Sequence, residues 1–168
     1  MSLPRFKVCV LGEAAVGKST LVSTFVQREF DTERRVRSGA QVEVGTADSP
    51  LGMCELVVWD VLCADGGFAL ETSYLTGVAG AVIVCDRTRR PTVTAAKAMI
   101  DRLRDTFGPV PVALAINKSD LAGSAEVSED EIETLRQKNP GVFSVSATSG
   151  EQVNAVFSYL AARLNRDG

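Results

Sequence analysis

The sequence contains no histidine among its 168 residues. This absence excludes imidazole general bases, Ser-His-Asp triads, Cys-His pairs and zinc sites with histidine ligands. Cysteine is also scarce, and its four copies lie far apart with no C-x-x-C pair. We therefore expect buried, reduced thiols of an intracellular protein rather than disulfides or a metal centre. These cysteines are Cys9, Cys54, Cys63 and Cys85.

Long apolar runs, targeting signals and an excess of positive charge are missing as well. No run approaches the roughly 18 apolar residues of a transmembrane helix, and residues 1–7 lack the apolar segment of a signal peptide. Residues 165–168 contain no cysteine for prenylation, so we expect a cytoplasmic protein without a membrane anchor. The formal charge of −3 gives no reason to expect nucleic-acid binding. The length predicts one domain, residues 1–168, with a full core, and we expect it to be a monomer.

Apolar runs alternate with segments of helical period along the chain. The runs predict six strands, at residues 6–11, 41–46, 55–59, 81–85, 111–116 and 142–145. Helices are predicted at 17–27 and 91–107, and capping patterns precede two more, at Ser128 with Glu131 and at Ser149 with Gln152. The order predicts a three-layer, doubly wound α/β fold with six strands, mostly parallel with one antiparallel, and about five helices.

Residues 12–19, GEAAVGKS, match the phosphate-binding pattern G-x-x-x-x-G-K-[ST] between a predicted strand and a predicted helix. The backbone N–H groups of such a loop surround an anion, and the helix N-terminus adds positive potential. Lys18 would reach the β- and γ-phosphates, and the Ser19 hydroxyl would bind Mg²⁺. The motif predicts a nucleoside triphosphate site without specifying the base. Its candidate binding residues are Gly12, Glu13, Ala14, Ala15, Val16, Gly17, Lys18, Ser19 and Thr20.

A second motif, NKSD at residues 117–120, follows the predicted strand 111–116. Ligands in open α/β sheets bind beyond the carboxyl ends of the strands, which makes Asn117, Lys118 and Asp120 candidates. The Asp120 carboxylate can accept hydrogen bonds from both N1–H and N2–H₂ of guanine, whereas adenine offers no such pair of donors. We expect this carboxylate to be buried, so leaving it unpaired would be costly and guanine would be strongly preferred.

Together these motifs resemble those of the Ras superfamily of small GTPases, most closely its Rab branch, over nearly the whole chain. The resemblance identifies Phe30 as the aromatic residue that flanks guanine and Asp60, after Trp59, as the residue linked to the metal. It implies the G-domain fold of P-loop NTPases, with GTP or GDP and Mg²⁺ as ligands. Further matches are Tyr74, Gly77, Gly80, Asp86 and the last motif, Ser146, Ala147 and Thr148, in which the Ala147 N–H contacts the guanine carbonyl.

The sequence departs from the family in both switch segments. The threonine that binds Mg²⁺ and senses the γ-phosphate is replaced by Arg37, so that Ser38 becomes the candidate ligand after a one-residue shift. Cys63 stands at the glycine that contacts the γ-phosphate, and Ala64 replaces the glutamine that orients the attacking water. Thr148 stands where the last motif has lysine. We therefore expect guanine-nucleotide binding with slow GTP hydrolysis.

Two arginines of the first switch, Arg35 and Arg37, are candidate catalytic residues beside Lys18. An arginine supplied in cis from this loop would neutralise charge in the transition state and compensate for Ala64. The alternative is a solvated basic loop or a patch that contacts a partner. Effector or regulatory proteins are expected to bind residues 30–46 and 60–75, in a signalling or trafficking switch. The competing hypothesis is a pseudo-GTPase scaffold that binds guanine nucleotide without productive switching.

Overall fold

A computed structural model describes residues 2–26, 35–37, 40–61 and 72–167, with the backbone alone at 35–37 and 72–73. The strands are β1 (Arg5–Leu11), β2 (Arg35–Arg37), β3 (Ala40–Ser49), β4 (Gly52–Val61), β5 (Gly80–Asp86), β6 (Val112–Asn117) and β7 (Val142–Ser144). The α-helices are α1 (Lys18–Val26), α2 (Thr72–Leu75), α3 (Arg90–Phe107), α4 (Glu129–Lys138) and α5 (Val153–Asp167), and a 3-10 helix spans Ser119–Ser124.

The strands form one sheet in the order β2-β3-β4-β1-β5-β6-β7. Strand β3 is antiparallel to both β2 and β4, and the remaining neighbours are parallel. The six predicted strands are confirmed as part of the α/β fold. The structure adds the short edge strand β2, whose 3 residues are fewer than the roughly four to eight over which alternation marks a strand in sequence.

Both faces of the sheet are covered, which explains the continuous apolar runs of β5 and β6. One face packs on α1 and α5, where the rings of Phe25 and Phe157 stack with centroids 3.8 Å apart. The opposite face packs on α3 and α4 through side chains such as Leu103 and Ile132. Every residue of β5 and β6 is buried, including Asp86 and Asn117 at their carboxyl ends.

The starts of two helices test the capping patterns of the sequence. The box at α4 is confirmed, because the Ser128 side chain accepts from the Glu131 N–H and the Glu131 side chain accepts from the Ser128 N–H. The pattern at residues 149–152 is wrong as a helix start. A turn closed by a bridge between Ser146 and Glu151 uses these residues, and α5 begins only at Val153.

Three of the four cysteines, Cys9, Cys54 and Cys85, are buried and free, as expected. Burial raises the pKa of the Cys9 and Cys85 thiols to about 12, so both are protonated at neutral pH. Cys63 lies outside the described residues. Among the helices of the described part of the chain, none is long and apolar enough to cross a membrane.

Candidate functional site

The predicted motifs meet at one edge of the sheet. Strands β1, β4, β5 and β6 run in the same direction, so their carboxyl ends point to the same side. The phosphate loop follows β1, Asp60 lies near the end of β4, Asp86 ends β5 and Asn117 ends β6. Parallel topology therefore collects residues that are far apart in sequence into a single site.

Two glycines of the phosphate loop sit where a larger residue has no room. A Cβ atom on Gly12 would lie 2.4 Å from the Val84 carbonyl oxygen. A Cβ atom on Gly17 would lie 2.3 Å from Asn117 Nδ2, and the φ of Gly17 is +101°, which L side chains rarely adopt. The glycines thus let the loop pack against β5 and against the NKSD motif.

Lys18 begins helix α1 and folds back over the phosphate loop. Its side chain is largely buried, and Nζ donates to the carbonyl oxygens of Gly12 at 2.9 Å and Glu13 at 3.4 Å. An ammonium group has three N–H donors, so one remains for a phosphate oxygen beyond these two contacts. The positive charge of Lys18 is therefore held against the backbone of the phosphate loop.

Ser19 and Asp60 lie together at the start of α1. The Ser19 hydroxyl donates to Asp60 Oδ2 at 2.6 Å, while the buried Oδ1 accepts no hydrogen bond from any described residue. Burial raises the pKa of Asp60, an effect that Ser19 and Lys18 oppose and Glu43 reinforces. A buried carboxylate oxygen without a donor, beside a hydroxyl, fits a hard cation such as Mg²⁺, which prefers oxygen ligands.

Asn117 connects the phosphate loop to both base motifs. Its Nδ2 donates to the Val16 carbonyl at 2.9 Å, and its Oδ1 accepts from the Ala147 N–H at 2.9 Å. The same N–H was predicted to contact the guanine carbonyl, so a bound base would share it with Asn117. Thr24 of α1 also donates to the Ala147 carbonyl at 2.7 Å, which fixes this segment further.

Asp120 differs from the sequence prediction in one respect. It is exposed rather than buried, because it lies at the start of the 3-10 helix on the surface. Its Oδ1 accepts from the Ser146 hydroxyl at 3.1 Å, and Ser146 itself is buried. The carboxylate is therefore held in place by Ser146 while it stays exposed to water.

Asp86 anchors two cations beside the phosphate loop. Its Oδ2 accepts from Lys118 Nζ at 2.7 Å and Arg89 Nε at 3.0 Å, and its Oδ1 accepts from the backbone and hydroxyl of Thr88. Burial favours the neutral acid, but these donors outweigh it and lower the Asp86 pKa to about 2. Lys118 and Arg89 also reach the loop, at the carbonyls of Ala15 (3.4 Å) and Ala14 (3.0 Å).

Sequence reasoning missed Arg89, although it follows the end of a buried strand, where functional side chains collect. Four other predicted site residues lie outside the part of the chain that the structure describes: Phe30, Ser38, Cys63 and Ala64. Arg35 and Arg37 are described by backbone alone, in the edge strand β2. Among the remaining candidates, Thr20 and Thr148 are exposed.

Comparison with known proteins gives a consistent result. The sequence matches the Ras family over residues 7–166. It is 33% identical over 156 residues to the Ras-related protein RABA6a of Arabidopsis thaliana. The aligned region covers 92% of this chain and 66% of RABA6a, just under two thirds of that protein's length. It is 31% identical over 166 residues to the Ras-related protein Rab-22A of Homo sapiens and of Canis lupus familiaris, which covers 98% of this chain and 86% of each relative.

Proposed function

The chain belongs to the Ras family, near its Rab branch, and from this membership we propose that it binds GDP and GTP with Mg²⁺ and hydrolyses GTP slowly. The observation that carries the proposal is the position of Asn117. Its side chain contacts both the phosphate loop and the last base motif, which supports a single site for phosphate and base. A site for phosphate alone would not need this connection.

The protein residues have distinct roles in the proposed complex. The N–H groups of the phosphate loop and the third donor of Lys18 bind the phosphate oxygens. Ser19 and Asp60 would hold Mg²⁺, which neutralises charge on the phosphates during transfer to water. Asp120, held by Ser146, accepts the two guanine donors. These contacts recognise a guanine nucleoside di- or triphosphate and exclude adenine for lack of matching donors.

Hydrolysis is proposed to be slow because Ala64 has no side-chain group to orient the attacking water. Arg35 and Arg37 are the proposed compensation. Their backbone pairs with Val42 and Ala40 of β3, and Ala40 pairs with Val61 at the end of β4. In this register the arginine-bearing strand is level with Trp59–Val61 at the end of β4, two strands away, which supports the proposal.

A pseudo-GTPase scaffold is the second candidate, favoured by the altered residues Arg37, Cys63 and Ala64. In either case we propose that residues 30–46 and 60–75 bind effector or regulatory proteins. The two candidates differ in whether partners distinguish the GDP form from the GTP form, since a switch needs a partner with different affinities for the two states. We further propose a monomeric protein that acts in the cytoplasm.

Nucleotide titration tests the binding proposal. Protein stripped of nucleotide with EDTA should bind GDP when Mg²⁺ is restored and should show no comparable affinity for ADP. Asp120→Ala removes two hydrogen bonds to a charged group and should weaken GDP binding about 100-fold or more. Ser119→Ala, in the same motif, is the matched control, because the Ser119 hydroxyl has no partner among the described residues. Failure to take up GDP would refute the proposal.

Single-turnover GTP hydrolysis separates the two candidates. The switch proposal expects slow but measurable turnover that falls at least about tenfold in Arg35→Ala or Arg37→Ala. Unchanged rates in both variants would exclude a catalytic arginine in this strand. No turnover, together with equal partner binding in the GDP-bound and GTP-analogue-bound forms, would support the scaffold instead.

A further inference from the structure

Five consecutive carbonyl groups of the phosphate loop, at residues 12–16, accept hydrogen bonds from side chains. Lys18 donates to Gly12 and Glu13, Arg89 donates to Ala14, Lys118 donates to Ala15 and Asn117 donates to Val16. In a trans peptide the N–H points opposite to the carbonyl of the same unit. Fixing five consecutive carbonyls therefore also fixes the directions of the N–H groups of the following residues, which are the groups that would surround an anion.

Ala15 is the strained position in this loop. Its φ is +61°, in the left-handed region that costs a non-glycine residue roughly 1–2 kcal/mol. Such a conformation persists only where the surroundings hold it. Arg89 holds the peptide before Ala15, through the Ala14 carbonyl, and Lys118 holds the peptide after it, through the Ala15 carbonyl. Both cations are tied to the same buried carboxylate, Asp86.

Arg89 occupies a position that helix formation alone would not select. It is the N-cap of α3, where Ser, Thr, Asp and Asn are preferred because their side chains accept from the helix N–H groups. The Arg89 side chain makes no capping bond. Its fork instead spans Asp86 Oδ2 and the Ala14 carbonyl, 75 residues away in sequence. A departure from a local rule at a ligand site is typical of functional constraint.

We propose that Arg89 is a positioning residue for phosphate binding: it holds the peptide between Ala14 and Ala15 so that the Ala15 N–H faces the bound phosphates. The proposal rests on the proposed nucleotide binding and assigns this role to a residue of the β5–α3 connection. Arg89 acts through the loop backbone and through Asp86, not by contact with the nucleotide.

Equilibrium titration with GDP and GMP tests the role. Arg89→Ala should weaken GDP binding about tenfold, as expected for loss of a hydrogen bond from a charged group, and weaken GMP binding less, since GMP offers the loop one phosphate. Arg90→Ala is the matched control, because Arg90 pairs with Glu126 and Glu131 and has no contact with the loop. Equal losses for GDP and GMP, or equal effects of the two variants, would overturn the proposal.

A double-mutant cycle with Ala15→Gly tests the mechanism itself. Glycine populates positive φ without the penalty of alanine, so the loop would need less support from Arg89. Arg89→Ala should then cost about threefold or less in the Ala15→Gly background. Arg89→Lys keeps the charge but not the planar fork and should remain close to Arg89→Ala. An undiminished tenfold loss in the glycine background would show that Arg89 does not act on the Ala15 peptide, and full rescue by lysine would show that charge alone acts; either result would overturn the proposal.

These outcomes remain distinct from failure of the proposed function. If the unmodified protein binds no guanine nucleotide, the binding proposal falls before any variant is compared. If it binds GDP and Arg89→Ala binds it equally well, nucleotide binding stands and the positioning role is wrong.

Discussion

At the scale of single residues, the candidate site contains two buried carboxylates, Asp60 and Asp86, whose pKa values shift in opposite directions. Asp60 has one buried oxygen that accepts no hydrogen bond from the described part of the chain, and burial raises its pKa. Asp86 is equally buried, but Lys118, Thr88 and Arg89 lower its pKa to about 2. Asp60 could therefore accept a cation, whereas Asp86 is already paired with Lys118 and Arg89. Burial alone therefore does not indicate which acid binds metal.

Gly17→Ala should destabilise the nucleotide-free protein by about 2–4 kcal/mol, because the new Cβ would meet the Asn117 amide at 2.3 Å with φ at +101°. Urea unfolding measures the change. Gly123→Ala is the control, since no heavy atom lies within 4 Å of its added Cβ. A Gly17→Ala variant as stable as Gly123→Ala would contradict the close approach of Gly17 to Asn117.

At the scale of elements, the helices show three kinds of start. Helix α4 begins with a complete capping box. Helix α3 begins at Arg90 with Pro91 in its first turn, and its N-cap side chain is directed to the phosphate loop instead of the helix. Helix α5 follows a closed turn. The preference for a capping side chain is followed at α4, which lies outside the candidate site, and is not followed at α3, which borders it.

Ser128→Ala should lower the free energy of unfolding by about 1 kcal/mol, because the capping hydroxyl accepts from the Glu131 N–H at 3.2 Å. Ser119→Ala makes the same chemical change at a buried hydroxyl without a described partner, and it should be neutral or slightly stabilising. Thermal or urea unfolding of both variants gives the comparison. If the two substitutions cost the same, the capping bond contributes nothing beyond the hydroxyl itself.

At the scale of the whole molecule, Asp86 joins parts of the chain that local structure does not connect. It ends β5, receives Lys118 from the segment after β6, and through Arg89 reaches the loop after β1. Three strand ends are thus held by one charged group. Loss of that charge should loosen the site as a unit.

Stability at acid pH follows from the Asp86 pKa, about 2 in the folded protein against 3.8 ordinarily. Between these values the unfolded chain binds more protons, so stability rises with pH and is lost as pH falls through about 2. Above pH 4 the lowered pKa of Asp86 contributes about 2 kcal/mol to the free energy of unfolding. In Asp86→Asn this part of the rise should disappear, while a smaller part from Glu131, whose pKa is also lowered to about 2, remains.

Urea unfolding at several pH values between about 2 and 5 measures this dependence. Asp101→Asn, an exposed carboxyl on α3, is the control and should leave the profile unchanged. An Asp86→Asn profile that coincides with the unmodified protein would mean that the Lys118 and Arg89 contacts do not stabilise the charged form.

The contiguous features of this protein were readable from the amino-acid order. The phosphate loop, the NKSD motif, the α4 capping box and the six main strands each depend on residues within a few positions of one another, so local periodicity and spacing suffice. Strand β2 and the turn at residues 149–152 were not predicted from the sequence. Strand β2 forms by pairing with β3, and the turn is closed by the bridge between Ser146 and Glu151, so neither depends on its own residues alone.

Only the tertiary structure determined which side chains donate hydrogen bonds to the phosphate loop and which carboxylates are buried. Asn117, Lys118 and Arg89 contact carbonyls that lie 101, 103 and 75 residues away, and only the parallel order of the strands brings them together. The same packing buries Asp60 and leaves Asp120 exposed, contrary to expectation for the latter. Spacing within a motif selects the chemistry, whereas hydrogen bonding and burial depend on neighbours that the linear order does not reveal.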